Sequence, residues 1–221
     1  MIEYNKAQLS RLARENGFMR DTLEKVLRLK AVLEFINGDV FLSRHLVLKG
    51  GTAINMTIFD LPRLSVDIDL DYIPNDTLED MKETRKRITD IIKEYMQGEG
   101  YILSASSRYS FRLDALYLQY TNAGGNKDIL KIEINYSLRA HLFEPVERVI
   151  LTDIFSEQLT VLTLDPMEIF AAKANALTEQ QHVIYMTLII WNIMVCLMNL
   201  KGIFYVNVLF STIQYHRRPS I

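Results

Sequence analysis

The segment from Leu46 to Tyr72 constrains the fold of this chain more than any other part of the sequence. It reads LVLKGGTAINMTIFDLPRLSVDIDLDY: a short apolar run, a glycine pair, a helix-like stretch and an acidic strand. In that strand Asp67, Asp69 and Asp71 alternate with apolar residues. Alternate side chains of a strand share a face. One face of the strand is therefore predicted to be acidic, and the other to pack into a core.

Three carboxylates on one face repel each other, and a bound cation is a common way to relieve that repulsion. Mg²⁺ takes carboxylate oxygens together with the phosphates of a substrate. The glycine pair Gly50-Gly51 before a helix allows backbone N–H groups to approach a phosphate closely. The segment therefore predicts a site for a triphosphate with Mg²⁺ or Mn²⁺, in which Asp67 and Asp69 are the metal ligands. We expect Asp71 to lie on the outer face without a role.

The composition is that of a globular protein, with 221 residues, of which 49% are hydrophobic and 24% are charged. A net charge of −2 does not indicate a nucleic-acid binder, although it is compatible with a local basic face. The single cysteine, Cys196, excludes an internal disulfide framework and suits a reducing compartment. The polar N-terminus shows no signal-peptide pattern. We therefore expect a cytoplasmic protein that does not associate with a membrane.

The pattern of apolar residues predicts helices and strands in mixed order, which favours an α+β fold with a mixed β-sheet flanked by helices and a helical C-terminal part. The predicted division is N-terminal helices over 1–45, a core over 46–163 and a helical part over 164–221. Asp21 and Glu24 form a capping-box pattern at the start of a helix. Strands are predicted over 109–121 and 128–136, joined as a hairpin. Asp165-Pro166 is typical of a helix start.

The glycine pair and the acidic strand together resemble a known signature. Gly50-Gly51-Thr52 followed by R-x-S-x-D-x-D over residues 63–69 is similar to the motif of nucleotidyltransferase toxins of the AbiEii/AbiGii family, which are akin to the MenT toxins. The strand KIEIN over 131–135 resembles the family's strand with a third carboxylate. LDPMEIFAAKANAL over 164–177 resembles its helix with a functional lysine. The resemblance covers residues 20 to 177 and implies a nucleotidyltransferase fold.

The resemblance also implies an activity: Mg²⁺-dependent transfer of a nucleotide from a nucleoside triphosphate to an acceptor, for which a tRNA 3′ end is the suggested candidate. It further implies an antitoxin partner. Glu133 would line up or deprotonate the attacking hydroxyl, and Lys173 would contact the triphosphate and offset its charge. The residues that would contact the nucleotide are Gly50, Gly51, Thr52, Ser65 and Lys173.

Other interpretations of these residues stay open. Glu133 could pair only with Lys131, and Lys173 could be a solvated residue on a core helix. The chain could transfer a nucleotide to a small molecule such as an antibiotic. It could also be a decayed or non-catalytic module that binds nucleotides.

The segment 180–200 contains no Asp, Glu, Lys or Arg. It could be a membrane span or a buried helix. A third explanation, a shift of reading frame, accounts both for this loss of charge and for the absence of a motif that the family carries. The family continues after the lysine helix with a segment like R-x-x-x-R-D-L-Y-D, whose aspartate completes the active site. A permitted coding of residues 179–191, read in the adjacent frame, gives R-A-A-A-R-D-L-Y-D. We therefore predict that the tail over 178–221 is out of frame and that the activity of this chain is impaired.

Overall fold

The computed structural model describes residues 4–58, 66–137, 140–151 and 158–179, and the side chains as far as residue 173. It divides the chain into two compact units. The first comprises Met1–His141 and Pro145–Thr163, and the second comprises Leu142–Glu144 and the chain from Leu164 onward. The segment 180–200 and the predicted out-of-frame tail lie outside the described residues. None of the helices within the described ranges is long and apolar enough to cross a membrane.

The described residues form six helices and eight strands. The helices are α1 Lys6–Glu15, α2 Arg20–Gly38, α3 Val40–His45, α4 Gly50–Thr57, α5 Leu78–Gly98 and α6 Pro166–Glu179. The strands are β1 Leu46–Lys49, β2 Asp67–Tyr72, β3 Ile102–Leu103, β4 Arg108–Tyr109, β5 Leu113–Thr121, β6 Lys127–Asn135, β7 Val146–Val149 and β8 Thr160–Thr163.

The strands form one mixed sheet in the order β3-β5-β6-β2-β1-β8-β7, with β4 also paired to β5. β2 is antiparallel to β1 and parallel to β6, whereas β5 and β6 form the predicted antiparallel hairpin. The expected α+β fold with a mixed sheet and flanking helices is therefore confirmed. The acidic strand lies in the interior of the sheet, so its carboxylates have neighbours on both sides.

One face of the sheet is apolar and is covered by α2 and α5. Ile68 and Leu70 of β2 and Ile132 and Ile134 of β6 are at most 1% exposed, as a core requires. Phe35 of α2 and Tyr95 of α5 stack with ring centroids 3.7 Å apart, which joins the two helices. Burial of large apolar side chains at about 25 cal/mol per Å² is the main source of stability for such a layer.

The predicted capping box of α2 is wrong. The helix begins at Arg20 with Met19 as N-cap and has no side-chain cap. Glu24 is instead fully buried and accepts hydrogen bonds of 2.7 and 2.9 Å from the Arg28 guanidinium. Its other oxygen accepts the backbone N–H of Ala123, in the hairpin turn, at 2.7 Å. A buried carboxylate requires such partners, and here they fasten the turn to α2.

The strand predicted over 109–121 is interrupted. Ser110 donates its backbone N–H to the carbonyl of Leu113 at 2.9 Å, and Leu113 donates its N–H to the Ser110 hydroxyl at 3.1 Å. This turn separates the two-residue strand β4 from β5, and β4 folds back to pair with β5. A serine that offers the backbone local hydrogen bonds favours such a turn over a continuous strand.

The described part of the second unit consists of α6 and a short segment before it. α6 begins as predicted, with Pro166 as its first residue and the backbone N–H of Met167 donated to the Asp165 carboxylate at 2.8 Å. Leu142 of the same unit donates its N–H to Glu168 at 3.3 Å. These contacts fix the start of the helix.

Candidate active site

The face of the sheet opposite the apolar one carries the acidic residues of β2. The register places Asp69 directly across from Lys49 of β1 on one side and from Glu133 of β6 on the other, and it places Asp67 across from Lys131. Directly paired residues in a sheet project to the same face. We call this side the carboxylate face and define it by Asp67, Asp69 and Glu133.

The glycine turn lies against this face. Gly50 has φ +72°, and a Cβ built on it would lie 2.3 Å from Asp69 Oδ2. Only glycine allows both this backbone conformation and this approach. The chain therefore enters α4 in contact with the Asp69 carboxylate, with Gly51 in the first turn of the helix.

Thr52 connects the same helix to the acidic strand. Its side chain is fully buried, and its hydroxyl donates a hydrogen bond to the backbone carbonyl of Asp67. The hydroxyl therefore faces β2, and it holds the first turn of α4 in register with the carboxylates. The predicted contact of this residue with a nucleotide stays a prediction.

Negative charge is concentrated around Asp69. Burial raises the pKa of its carboxyl above the ordinary value; Glu133 and Asp67 raise this pKa further, whereas Lys49 and Lys131 lower it. A carboxylate that is partly desolvated and surrounded by others favours a cation beside it. The oxygen donors Asp67 and Asp69 suit Mg²⁺, which commonly takes one or two carboxylates together with substrate phosphates.

The fit to a metal depends on those two carboxylates. In the part of the chain that the structure describes, no group of three or more histidine, cysteine or acidic side chains is arranged to hold a metal ion. The donor set is compatible with an ion shared with a substrate triphosphate, because the substrate would supply the remaining oxygens.

Glu133 has a second neighbour. Its carboxylate lies 3.1 Å from Lys131 Nζ, and both side chains are 27% exposed. Burial lowers the pKa of Lys131, but the hydrogen bond and charge of Glu133 outweigh this and the net pKa is raised. A partly exposed pair of this kind contributes about 0–1 kcal/mol, so it leaves Glu133 free to exchange partners. Glu133 therefore pairs with Lys131, as the sequence allowed, and it also lies directly across from Asp69.

Asp71 shares the face of Asp67 and Asp69, but it is not the outer residue without a role that we expected. It is 1% exposed, with Lys49 Nζ at 2.5 Å and Asn135 Nδ2 at 2.9 Å from its Oδ1. Burial raises the pKa of its carboxyl, and Lys49 and Asn135 oppose this. Asp71 therefore holds Lys49, which lies directly across the strand pair from Asp69.

Lys49 is a candidate residue that the sequence interpretation missed. The available signal was its position immediately before Gly50, because antiparallel pairing of β1 with β2 brings that residue to the carboxylate face.

The described residues do not test the roles predicted for Ser65 and Lys173. Ser65 lies in the segment 59–65, outside the described residues. Lys173 lies on α6, in the second unit, with an exposed side chain. Their predicted contacts with a triphosphate stay predictions.

Comparison with known proteins places the chain in a family. The model of the nucleotidyl transferase AbiEii toxin family, of type IV toxin–antitoxin systems, matches residues 33–184. MenT4, a nucleotidyltransferase toxin from Mycobacterium tuberculosis, has a similar structure, with a TM-score of 0.56 and 18% identity over 79% of this chain and 59% of MenT4. JHP933 from Helicobacter pylori matches with a TM-score of 0.44 and 18% identity, over 70% of this chain and 56% of JHP933.

The likeness to MenT4 shows the fold alone, and this chain spans about three-fifths of the length of that protein. A comparison with curated protein sequences gives no match. The family match covers most of the chain, including the glycine turn, the acidic strand and Glu133. The chain therefore belongs to the AbiEii family of nucleotidyl transferase toxins.

Proposed function

We propose that this protein transfers a nucleotide from a nucleoside triphosphate to an acceptor hydroxyl, and that it acts as the toxin of a toxin–antitoxin pair in the cytoplasm. Family membership supports the reaction class. The observation that carries the proposal is the convergence of the Gly50 turn, Asp69 and Glu133 on one face of the sheet.

The position of each residue suggests its role in the reaction. Gly50 and Gly51 would bring backbone N–H groups at the start of α4 to the phosphate oxygens, where the helix dipole favours negative charge. Asp67 and Asp69 would hold Mg²⁺, which when bound neutralises charge on the triphosphate. Ser65 and Lys173 would contact the phosphates, as the family resemblance implies. Lys49, held by Asp71, lies across from Asp69 and lowers the pKa of that carboxyl.

In the reaction the acceptor hydroxyl oxygen forms a bond to the α-phosphorus, and the bond from that phosphorus to the pyrophosphate oxygen breaks. Glu133 would orient the hydroxyl and accept its proton, and pyrophosphate leaves. Such transfer depends mainly on positioning and charge neutralisation. A tRNA 3′ end is the acceptor that we propose, and an antitoxin is the expected partner.

Loss of one carboxylate tests the proposal. Asp67→Asn keeps the size of the side chain and removes its charge, so we expect transfer of labelled nucleotide to total tRNA to fall by about 100-fold or more, and growth inhibition by the expressed chain to be relieved. The matched control is Glu147→Gln, an exposed acid on β7 of the same sheet, which should leave both readouts unchanged. Equal transfer and equal toxicity in Asp67→Asn would contradict the proposal.

A second candidate is favoured by the sequence after residue 177, which lacks the family's R-x-x-x-R-D-L-Y-D segment. The chain would then be a decayed enzyme that binds a triphosphate without turning it over. Calorimetry with each triphosphate and Mg²⁺, beside the transfer assay, separates the two. Heat of binding without product in any combination of triphosphate, tRNA or small-molecule acceptor supports the decayed module.

A further inference from the structure

The sheet edge beyond β5 carries a groove that the proposed reaction does not use. The groove has a volume of about 300 Å³ and lies between α5 and the short strand β4. We call it the α5 groove. Helix α5 lines it with Lys82, Arg85, Lys86, Asp90 and Lys93, and Tyr109 and Asp114 line the opposite wall.

The floor of the groove is fixed by an internal pair. Arg85 donates from Nε to the Asp114 carboxylate at 3.0 Å, and from Nη2 to the same carboxylate and to the Ser110 carbonyl, the latter at 2.6 Å. Asp114 is 1% exposed. A bidentate pair of this kind is geometrically rigid. These two charges compensate each other and shape the groove without giving it a net charge.

The remaining charge of the groove is positive. Lys82 and Lys86 are exposed, and neither forms an ion pair within the described ranges of the chain. Lys93 lies over the ring of Tyr109, with Nζ 4.5 Å from its centroid. Asp90 is the acid that opposes these three lysines. A groove with an excess of cations in a chain of net charge −2 attracts a polyanion locally.

Exposed aromatic rings adjoin the lysines. Tyr109 is 47% exposed and Phe111 is 65% exposed, and the exposed Arg108 and Arg112 flank them in the sequence RYSFR. Rings and arginines presented together favour stacking on unpaired bases, with the cations on the phosphates. An acidic protein would be attracted by the cations, but it offers no unpaired bases on which the exposed rings could stack.

The register connects this edge to the carboxylate face. Arg108 pairs with Ala115 of β5, Ala115 pairs with Glu133, and Glu133 pairs with Asp69. These four residues therefore form one row on the same face. At about 4.8 Å per strand, Arg108 lies about 10 Å from Glu133 along that row. Its neighbour Tyr109 points to the other side, into the α5 groove.

We propose that the α5 groove and the segment 108–112 bind an RNA strand, and that β4 guides its end over the sheet edge onto the carboxylate face. The lysines hold phosphates, Tyr109 and Phe111 stack on bases, and Arg108 holds the phosphate nearest to Glu133. This inference rests on the proposed function, because it supplies the acceptor to the same reaction.

Binding of RNA to the full chain tests the surface. The probe is a fluorescein-labelled RNA hairpin with an unpaired 3′ end, followed by anisotropy between 50 and 200 mM salt, about the range over which binding to phosphates weakens most visibly. The variant Lys82→Gln, Lys86→Gln, Lys93→Gln should bind at least about 10-fold more weakly, with a salt slope smaller by about 0.7 for each phosphate that the variant no longer neutralises. Phe111→Ser, at an exposed position, should weaken binding by about 5-fold or more.

The control variant removes as many charges elsewhere: Lys6→Gln, Arg11→Gln, Arg14→Gln on the exposed side of α1. It should bind RNA within twofold of the unmodified chain. Equal weakening in both triple variants, or none in the groove variant, would overturn the proposal. A third outcome would also overturn it: the unmodified chain binds poly-L-glutamate but not RNA, and the groove variant loses that binding. Such a result would assign the groove to an acidic protein.

Different variants test the RNA-binding surface and the proposed transfer reaction, so one proposal can be contradicted without the other. The groove variant should keep its affinity for a triphosphate with Mg²⁺, and Asp67→Asn should keep its affinity for the RNA hairpin. RNA binding that is weakened only in the groove and Phe111 variants supports the surface even where no transfer is detected, and in that case the proposed function alone is contradicted.

Discussion

Gly50 satisfies two requirements with one missing side chain. Its backbone has a positive φ, and its Cα passes so close to Asp69 that a Cβ would meet the carboxylate. The first requirement follows from the turn between β1 and α4, and the second from the packing of that turn against β2. Together they explain why the glycine turn lies directly against the acidic strand.

Gly50→Ala should therefore lower the free energy of unfolding by about 1–3 kcal/mol and displace the Asp69 carboxylate, so that nucleotide transfer falls as well. Chemical denaturation measures the first effect and the transfer assay the second. Gly98→Ala is the control, since a Cβ there meets nothing within 4 Å; it should be neutral or stabilising by about 0.5 kcal/mol. Equal stability of the two variants would show that the contact with Asp69 is not a constraint.

Individual residues also show where sequence interpretation stops. Alternation along β2 was sufficient to place Asp67, Asp69 and Asp71 on one face. It could not distinguish the exposed Asp67 from the buried Asp71, because burial depends on Lys49 and Asn135 in the two neighbouring strands. Which strands lie beside β2, and in which register, is a property of the whole sheet.

At the scale of elements, the β5–β6 hairpin is held to α2 by side chains from both. Asp128 accepts Lys25 Nζ at 2.8 Å and the Tyr120 hydroxyl at 3.3 Å. Burial raises the pKa of the Asp128 carboxyl, but the hydrogen bonds from Lys25 and the Ile129 backbone lower it more, and the net pKa lies below the ordinary value of 3.8. The ionised form of this residue is the one that joins hairpin and helix.

Asp128→Asn should lower the free energy of unfolding by about 1 kcal/mol at pH 7. Because the folded chain binds fewer protons at this site than the unfolded chain, the contribution is present above pH 3.8 and is lost as the pH falls through the lower folded pKa. The difference between variant and unmodified chain should therefore shrink on acidification, as urea denaturation at several pH values would measure. Asp90→Asn, at an exposed position, should change stability by less than about 0.5 kcal/mol throughout.

The elements that the sequence predicted well are those with a strong local pattern, namely the hairpin, the acidic strand and the start of α6. The missed features depend on tertiary contacts. Glu24 looked like a capping residue but is recruited by Arg28 and by the hairpin turn. The short helix α3, over Val40–His45, was not predicted. Its N-cap, Asp39, directly follows Gly38, the last residue of α2. The Asn37-Gly38 pattern that ends α2 therefore masked the start of the next helix.

For the whole molecule, the sequence after residue 177 raises a question that the gene can answer. If the tail is out of frame, a chain with the adjacent frame restored regains R-A-A-A-R-D-L-Y-D. We expect the restored chain to transfer nucleotide at least about 10-fold faster than this one, because its additional arginines would neutralise transition-state charge and its additional aspartate is the residue that, by the family resemblance, completes the active site. Parallel transfer assays on the two chains measure this. Equal rates, or an in-frame coding sequence shared by intact relatives, would count against the frameshift.

The parallel pairing of β2 with β6 has a consequence for synthesis. Asp71 and Asn135, which hydrogen-bond across that pair, are 64 residues apart in the chain. A nascent polypeptide that has not yet released β6 from the ribosome lacks Glu133, one of the three residues that define the carboxylate face, however well its earlier part has folded. Asp69 therefore gains its neighbour Glu133 only after the ribosome has made and released the chain beyond β6, so the complete carboxylate face cannot form until well after β1 and β2 are able to pair.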